Sequence, residues 1–64
     1  MYCIAVHDVD FNFMGFVAGY YYFTKDYRLT RKYTDRLKWY EKENAEEVVS
    51  YIKDTNRFII TECN

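Results

Sequence analysis

The sequence predicts an α+β domain in which one helix packs on a four- or five-stranded, mostly antiparallel sheet. Three observations lead to this prediction. The chain has 64 residues, of which half are hydrophobic. Several segments are rich in aromatic and β-branched residues or alternate between two faces with the two-residue period of a strand, and residues 44–55 have the period of an amphipathic helix. A chain of this length forms one domain, so residues 1–64 are expected to share a single fold.

The first part of the chain is predicted to form two strands. Residues 2–9 alternate between two faces, and residues 16–24 are rich in aromatic and β-branched side chains; both features are typical of strands. The Asp and Asn side chains of residues 8–12 favour a turn, because short Asx side chains hydrogen-bond to their own backbone. Gly15 and Gly19 indicate a bulge or a close backbone approach in the second strand.

The middle of the chain permits two interpretations. Its Thr and Tyr content predicts a third strand at residues 27–33, entered through a two-residue turn at Lys25 and Asp26, and a fourth strand at residues 36–41. A helical stripe also fits, made of Leu29, Tyr33, Leu37 and Tyr40. The strand interpretation is favoured, but the pattern alone does not decide between strand and helix for residues 26–43.

The clearest element is the helix predicted at residues 44–55. Asn44 is a suitable N-cap, and Glu47 three residues later completes the pattern of a capping box. One apolar stripe follows the helical period and consists of Ala45, Val48, Val49 and Ile52. Asn56 tolerates the left-handed conformation that ends a helix, and residues 57–63 then alternate as the last strand. A right-handed crossover is expected if the strands flanking the helix run parallel.

The aromatic content indicates a binding surface. Eight Tyr, five Phe and one Trp exceed what the core of so small a domain holds, so some rings must lie on the surface. Exposed Tyr and Trp are characteristic of protein interfaces. The alternative explanation is that Tyr is frequent because the chain is rich in strands.

The cysteines and the apolar segments predict the compartment. Cys3 and Cys63 lie near opposite ends of the chain, outside any Cys-x-x-Cys or Cys/His cluster that would bind zinc. The most apolar stretch, residues 11–23, is shorter than the roughly 20 residues of a membrane-spanning helix. We therefore expect a cytoplasmic protein with reduced thiols and no membrane partner.

The sequence predicts no cofactor, no metal and no enzymatic activity. Residues 8–12 begin like a calcium-binding loop, but the positions that require Gly and Glu hold Phe13 and Gly19. His7 is the only histidine, and no acid is obviously placed to orient it as a base beside a cysteine. The predicted catalytic, cofactor-binding and metal-binding sets are therefore empty.

Charge is distributed unevenly along the chain, although the net charge is only −1. Residues 25–42 contain seven Lys or Arg against three Asp or Glu, and acidic segments lie on either side. Such a block fits a phosphate backbone or an acidic protein surface, and it equally fits a solvated hairpin whose Lys side chains protect a sheet edge. A small nucleic-acid-binding protein that uses the basic, tyrosine-rich segment 25–42 is therefore the alternative function.

Four elements of the sequence together resemble a known kind of protein. They are an aromatic strand pair, the strand Leu37-Lys38-Trp39-Tyr40, the helix start Asn-Ala-Glu-Glu-Val-Val at Asn44, and the closing strand Phe58-Ile59-Ile60. In this layout the chain is similar to small orphan proteins encoded in early regions of bacteriophages of Gram-positive bacteria. The resemblance implies a protein that acts stoichiometrically on a larger component in the host cytoplasm. An anti-CRISPR protein, or another inhibitor of host defence or replication, is an example.

The predicted function is thus a small phage-type protein-binding module that inhibits or modifies a host protein. A homodimer is also expected, because association compensates for a small core. The predicted partner-binding residues combine Tyr and Arg, the residue types most enriched in interface hot spots. They are Tyr20, Tyr22, Tyr27, Arg28, Arg31, Tyr33 and Arg36.

Overall fold

The structure, a computed structural model, describes residues 1–63 and confirms the predicted fold class. One helix, α1 (Lys42–Tyr51), packs against a four-stranded antiparallel sheet. The strands are β1 (Tyr2–His7), β2 (Phe13–Tyr21), β3 (Asp26–Thr30) and β4 (Arg57–Glu62), in the spatial order β3-β2-β1-β4. The central strand β1 runs antiparallel to both of its neighbours. The extended residue Trp39 also pairs antiparallel with β1, so its segment runs parallel to β4, and α1 connects these two parallel segments.

The main core lies between α1 and one face of the sheet. Its almost completely buried side chains are Ile4, Val6, Val17, Ala45 and Val48. Two of them, Ala45 and Val48, belong to the predicted helical stripe, and Val49 and Ile52 pack half-buried at the margin. The 3.6-residue period therefore predicted the buried face of the helix correctly.

The predicted ends of the helix are wrong. The N-cap is Glu41 rather than Asn44, and no side chain caps the helix, so the Asn44–Glu47 capping box does not form. The helix begins at Lys42, and the backbone N–H of Asn44 donates to the carbonyl of Glu41, so Asn44 lies inside the first turn rather than at the cap. The helix ends at Tyr51 instead of residue 55. With ten residues it is too short to cross a membrane, and no other helix in residues 1–63 is long and apolar enough.

The predicted fourth strand, residues 36–41, is not a strand of the sheet. After β3 the chain makes a 3₁₀ turn at Tyr33–Asp35 and then runs extended between the diverging ends of β1 and β2. Trp39 exchanges both backbone hydrogen bonds with Tyr2, and the Leu37 N–H donates to the carbonyl of Val17. The alternation of this segment was nevertheless predicted correctly, because Leu37 and Trp39 both pack into the main core.

Candidate functional site

The sheet face opposite α1 carries an unbroken row of aromatic side chains. The rings of His7, Phe13, Phe16 and Tyr33 follow one another with centroid distances of 5.5, 5.2 and 5.3 Å. These distances, with edge-on or tilted ring planes, are those of favourable aromatic pairs. We call these four side chains the aromatic row, and the sheet face that bears them the open face.

A β-bulge in β2 puts Phe13 and Phe16 on the same face. Strict alternation would send residues three positions apart to opposite faces of the sheet. The β1–β2 register shifts by one residue, so Phe13 lies opposite His7 while Phe16 lies opposite Ala5. Met14, within the shifted part of β2, packs into the main core instead. The aromatic row therefore depends on this bulge.

Arginine side chains lie against the aromatic rings of the open face. The Cζ atom of Arg36 is 5.3 Å from the ring centroid of Phe16 and 4.8 Å from that of Tyr33. The Cζ atom of Arg57 is 4.2 Å from the ring centroid of Phe11. These cation–π contacts orient the two guanidinium groups but leave their charges uncompensated.

The open face is cationic. Arg28 lies on this face, because it pairs with Gly19 and alternates with Leu29, which packs into the main core. Among residues 1–63 no carboxylate forms an ion pair with Arg28, Arg36 or Arg57. The Nε–H of Arg36 is buried without a hydrogen-bond partner. Three guanidinium groups are therefore available to a negatively charged partner.

The aromatic row is anchored at its centre and accessible on either side. Phe16 is only 8% exposed and packs with Cys3 and Ala5 in a second, smaller cluster beneath the open face. Phe13 is 41% exposed and Tyr33 66%. Apolar area of this kind beside arginine side chains is typical of the centre of a protein interface.

The predicted turn between β1 and β2 is confirmed, and it presents Phe11 to Arg57. The carboxylate of Asp8 accepts hydrogen bonds from the backbone N–H groups of Asp10 and Asn12, both at 2.9 Å. The bond from Asn12 is the main reason why the pKa of Asp8 is lowered. Phe11 itself has a φ of 64°, a left-handed conformation that is strained for a bulky side chain. The Asp8 hydrogen bonds hold this conformation at the rim of the open face.

The structure brings three of the seven predicted partner-binding residues to the open face, namely Arg28, Tyr33 and Arg36. Arg31 is exposed just beyond the end of β3. Tyr22 lies in the turn after β2, and the centroid of its ring is 4.7 Å from that of the Tyr20 ring. The predicted residues therefore do not form one surface.

The other two predicted residues, Tyr20 and Tyr27, lie on the helix side. A second register shift, in the β2–β3 pairing, turns Tyr20 toward the main core. The Tyr27 hydroxyl donates a hydrogen bond to Asp54 at 2.5 Å and accepts one from the Asn56 amide at 3.0 Å. Burial, with the carboxylate of Asp54 as the next cause, raises the pKa of Tyr27. Tyr27 thus ties β3 to the loop before β4.

Sequence reasoning missed five residues of the open face. They are His7, Phe11, Phe13, Phe16 and Arg57. Three of them, Phe11, Phe13 and Phe16, precede or begin the predicted second strand, and strict alternation separated Phe13 from Phe16. The available signal was Gly15, which indicated the bulge without indicating its consequence.

A pocket on the helix side is too small for a typical metabolite. It has a volume of about 180 Å³ and is lined by Tyr22, Trp39, Asn44, Glu47 and Val48. Small-molecule sites usually occupy roughly 300–1,000 Å³. The open face is therefore the stronger candidate for a functional site.

The two cysteines meet beneath the open face. Cys3 is 1% exposed, and Cys63 packs against its cluster. Both are free thiols. Burial raises the pKa of the Cys63 thiol, and the neighbouring Cys3 thiol raises it further, whereas Arg36 and Lys38 act in the opposite direction.

We expect Cys63 to react slowly with iodoacetamide at neutral pH. A raised pKa lowers the thiolate fraction, and only the thiolate attacks. The alkylation rate, measured by mass spectrometry against free cysteine, should be lower near pH 7.5 and should keep rising at pH values where free cysteine has levelled off. Cys3, which is buried, should react only after unfolding. Faster alkylation of Cys63 than of free cysteine at neutral pH would contradict this expectation.

Comparisons with protein-family models, with curated proteins and with solved structures find no match. Within residues 1–63, no group of three or more His, Cys, Asp or Glu side chains is arranged to hold a metal ion. The chemistry and geometry of the open face carry the functional interpretation.

Proposed function

We propose that this chain is a protein-binding domain that acts by stoichiometric binding, and that its open face holds an acidic surface of its partner. The observation that carries the proposal is the aromatic row flanked by Arg28, Arg36 and Arg57, which form no ion pair within residues 1–63. The resemblance to early-region phage proteins supports a host protein as the partner. In this proposal the domain inhibits or modifies a component of host defence, such as CRISPR, or of replication.

An interface on the open face would engage a limited share of the molecular surface. A standard interface takes about 800 Å² from each partner, which is roughly a sixth of the 4591 Å² surface of this chain. Tyr and Arg are the residue types that contribute most in alanine scans, often about 2 kcal/mol or more each. Tyr33 and Arg36 lie in direct contact here, with Phe13 further along the row.

Preorganisation strengthens the proposed interaction. An arginine at a surface normally loses side-chain freedom when it binds, at a cost of about 0.5–1.5 kcal/mol. The rings of Phe16 and Tyr33 already restrict the guanidinium of Arg36, and Phe11 restricts that of Arg57. Because neither charge is compensated, an acidic partner gains attraction at long range as well as contacts at the surface.

Single-stranded nucleic acid is the second candidate partner, because alternating rings and arginines also bind bases and phosphates. Two observations favour protein instead. Arg36 already covers the rings of Phe16 and Tyr33, which restricts base stacking on them. The basic segment 25–42 is not one patch, since Lys25 lies over the ring of Tyr51 on the helix side, 4.6 Å from its centroid.

Affinity purification from a Gram-positive host lysate, with and without nuclease, tests the proposal. We expect a host protein that is retained in stoichiometric amount after nuclease treatment. The double variant Tyr33→Ala/Arg36→Ala should lose at least about 90% of it, since two hot spots at about 2 kcal/mol each weaken binding more than tenfold. Raising the salt concentration should weaken the wild-type interaction more than that of Arg36→Ala.

The matched control is Lys53→Ala, which removes an exposed cation outside the open face. It should retain the partner like the wild type. Equal recovery by the double variant and by Lys53→Ala, with the fold intact by circular dichroism, would exclude the open face as the binding surface. Recovery of nucleic acid that disappears with nuclease would select the second candidate.

A further inference from the structure

The outer edge of β4 is the unprotected edge of the sheet. β4 pairs with β1 over all six of its residues without a register shift, and it contains no Pro, Lys or Gly. The opposite edge strand, β3, has five residues, carries Arg28 at its centre, and lies beside a bulge in β2, whereas β4 is charged only at its two ends. Short length, charge and bulges are devices that prevent edge-to-edge pairing. β3 has them, whereas β4 presents a regular strand.

The backbone groups on this edge can be assigned residue by residue. Tyr2 exchanges both of its backbone hydrogen bonds with Trp39, so its N–H and C=O point away from β4. Tyr2 lies opposite Glu62, and opposed residues in an antiparallel ladder alternate between exchanging hydrogen bonds and not exchanging them. Glu62 therefore directs its N–H and C=O outward, and so do Ile60 and Phe58 at intervals of two residues.

These outward groups have no partner in the described chain. The backbone hydrogen bonds outside the regular elements include none from Phe58, Ile60 or Glu62, and no side chain of residues 1–63 bonds to their backbone. Between them the side chain of Ile59 points to the open face and is 43% exposed. A strand edge with free amides and an exposed apolar side chain is a template for another strand.

We propose that a second copy of this chain pairs with β4 in antiparallel orientation, centred on Ile60, to form an eight-stranded sheet. In this register Ile60 lies opposite Ile60 of the second copy, and Phe58 lies opposite Glu62. All outward backbone groups of Phe58, Ile60 and Glu62 in both copies are then paired. The two-fold axis perpendicular to the sheet keeps both helices on one side and both open faces on the other.

The charges of β4 favour the antiparallel orientation of the second copy. Arg57 begins the strand and Glu62 ends it. Antiparallel pairing keeps the two Arg57 side chains apart, and likewise the two Glu62 side chains, whereas parallel pairing would set like charges side by side. Burial of further surface also supports a domain with so small a core. In the dimer the two open faces lie side by side on one continuous sheet. A partner with two acidic segments could then bind both faces at once, which raises its overall affinity.

This inference goes beyond the proposed function and does not depend on it. Its test is amide hydrogen exchange, read by NMR from micromolar to millimolar protein concentration, together with sedimentation equilibrium. We expect a monomer–dimer equilibrium in which the amides of Phe58, Ile60 and Glu62 become protected as the concentration rises. The amides of Ile59 and Thr61 point toward β1 and should be protected throughout. This alternation distinguishes edge pairing from association through the open face.

A matched pair of variants at one position completes the test. Glu62→Pro and Glu62→Ala both remove an exposed carboxylate, but only the former removes the outward amide and places a ring at the edge. Because this amide makes no bond to β1, either variant should keep the fold, which the amide spectrum of residues 2–7 verifies. Glu62→Pro should weaken dimerisation at least about tenfold more than Glu62→Ala, since each interface loses two backbone hydrogen bonds.

Three results would overturn the inference. They are a monomer at millimolar concentration, a dimer in which the amides of Phe58, Ile60 and Glu62 still exchange freely, and equal dimerisation of Glu62→Pro and Glu62→Ala. Concentration-dependent protection of these three amides, together with selective loss in Glu62→Pro, supports it.

Discussion

Replacing Val48 by Asp is expected to unfold the protein at 25 °C. Val48 is 3% exposed and lies in the main core with Ile4, Val6 and Val17. Among residues 1–63 no polar or charged residue is buried, so the new carboxylate finds no partner in the core. An unpaired buried charge, together with the lost apolar contacts, costs more than about 4 kcal/mol. A single core in a domain this small supplies only about 3–5 kcal/mol.

The matched control is Asn44→Asp, which introduces the same carboxylate on the same helix at an exposed position. Near the helix N-terminus a negative charge is neutral or slightly stabilising. Far-ultraviolet circular dichroism and thermal melting should show no cooperative transition for Val48→Asp and a wild-type melting temperature, or a higher one, for Asn44→Asp. A cooperative transition of Val48→Asp within a few degrees of the wild type would mean that α1 does not pack as described.

Gly15→Ala is expected to destabilise the fold strongly, and far more than Gly19→Ala. Gly15 has a φ of 142°, which side chains rarely adopt, and a Cβ atom there would lie 2.8 Å from the carbonyl oxygen of Thr30. That neighbour is backbone of β3 and cannot rotate away as a side chain would. Backbone strain of about 1–3 kcal/mol and overpacking of about 1–3 kcal/mol together amount to most of the stability of a small domain.

Gly19→Ala is the control, because it makes the same change in the same strand. A Cβ atom at Gly19 meets only the side chain of Arg28, at 3.5 Å or more. We expect it to be neutral or to stabilise slightly, since Ala restricts the unfolded chain. Urea unfolding of both variants measures the difference, and a loss at Gly15 no greater than that at Gly19 would contradict the strained bulge.

Gly15→Ala is also expected to change the open face. The bulge that contains Gly15 is the reason why Phe13 and Phe16 share the open face. If Gly15→Ala folds at low temperature with the bulge removed, the register of part of β2 shifts by one residue and Phe13 leaves the aromatic row. Partner binding should then fall even under conditions where the variant is folded.

Local rules predicted the elements that depend on side-chain periodicity. The stripe through Ala45 and Val48 was predicted because a helix buries the residues on one side of its surface. The alternation of Leu37 and Trp39 was predicted because residues two positions apart in an extended chain share one face, and their segment is extended although it does not join the sheet as a strand. The turn at Asp8 follows from Asx chemistry that involves only neighbouring residues.

The ends of α1 were not predictable from the cap residues, because the first turn closes on the carbonyl of Glu41 and takes Asn44 into the helix. The placement of residues 36–41 outside the strands of the sheet was not predictable either. It depends on where β1 and β2 diverge, which is a property of the pairing of distant strands. Segment 25–42 is basic in sequence, but the sheet divides it, with Arg28 and Arg36 on the open face and Lys25 on the helix side.

By itself the sequence determined the α+β class, the buried stripe of the helix and the surplus of aromatic rings over the capacity of the core. All three follow from composition and periodicity, which act locally. Only the tertiary structure decided which rings form the surface. A single extra residue in β2 brings Phe13 beside Phe16, the chain reversal after β3 folds Tyr33 and Arg36 over them, and strand order leaves β4 at the edge. Such placements depend on long-range strand register, and a shift of one residue reverses every side chain that follows.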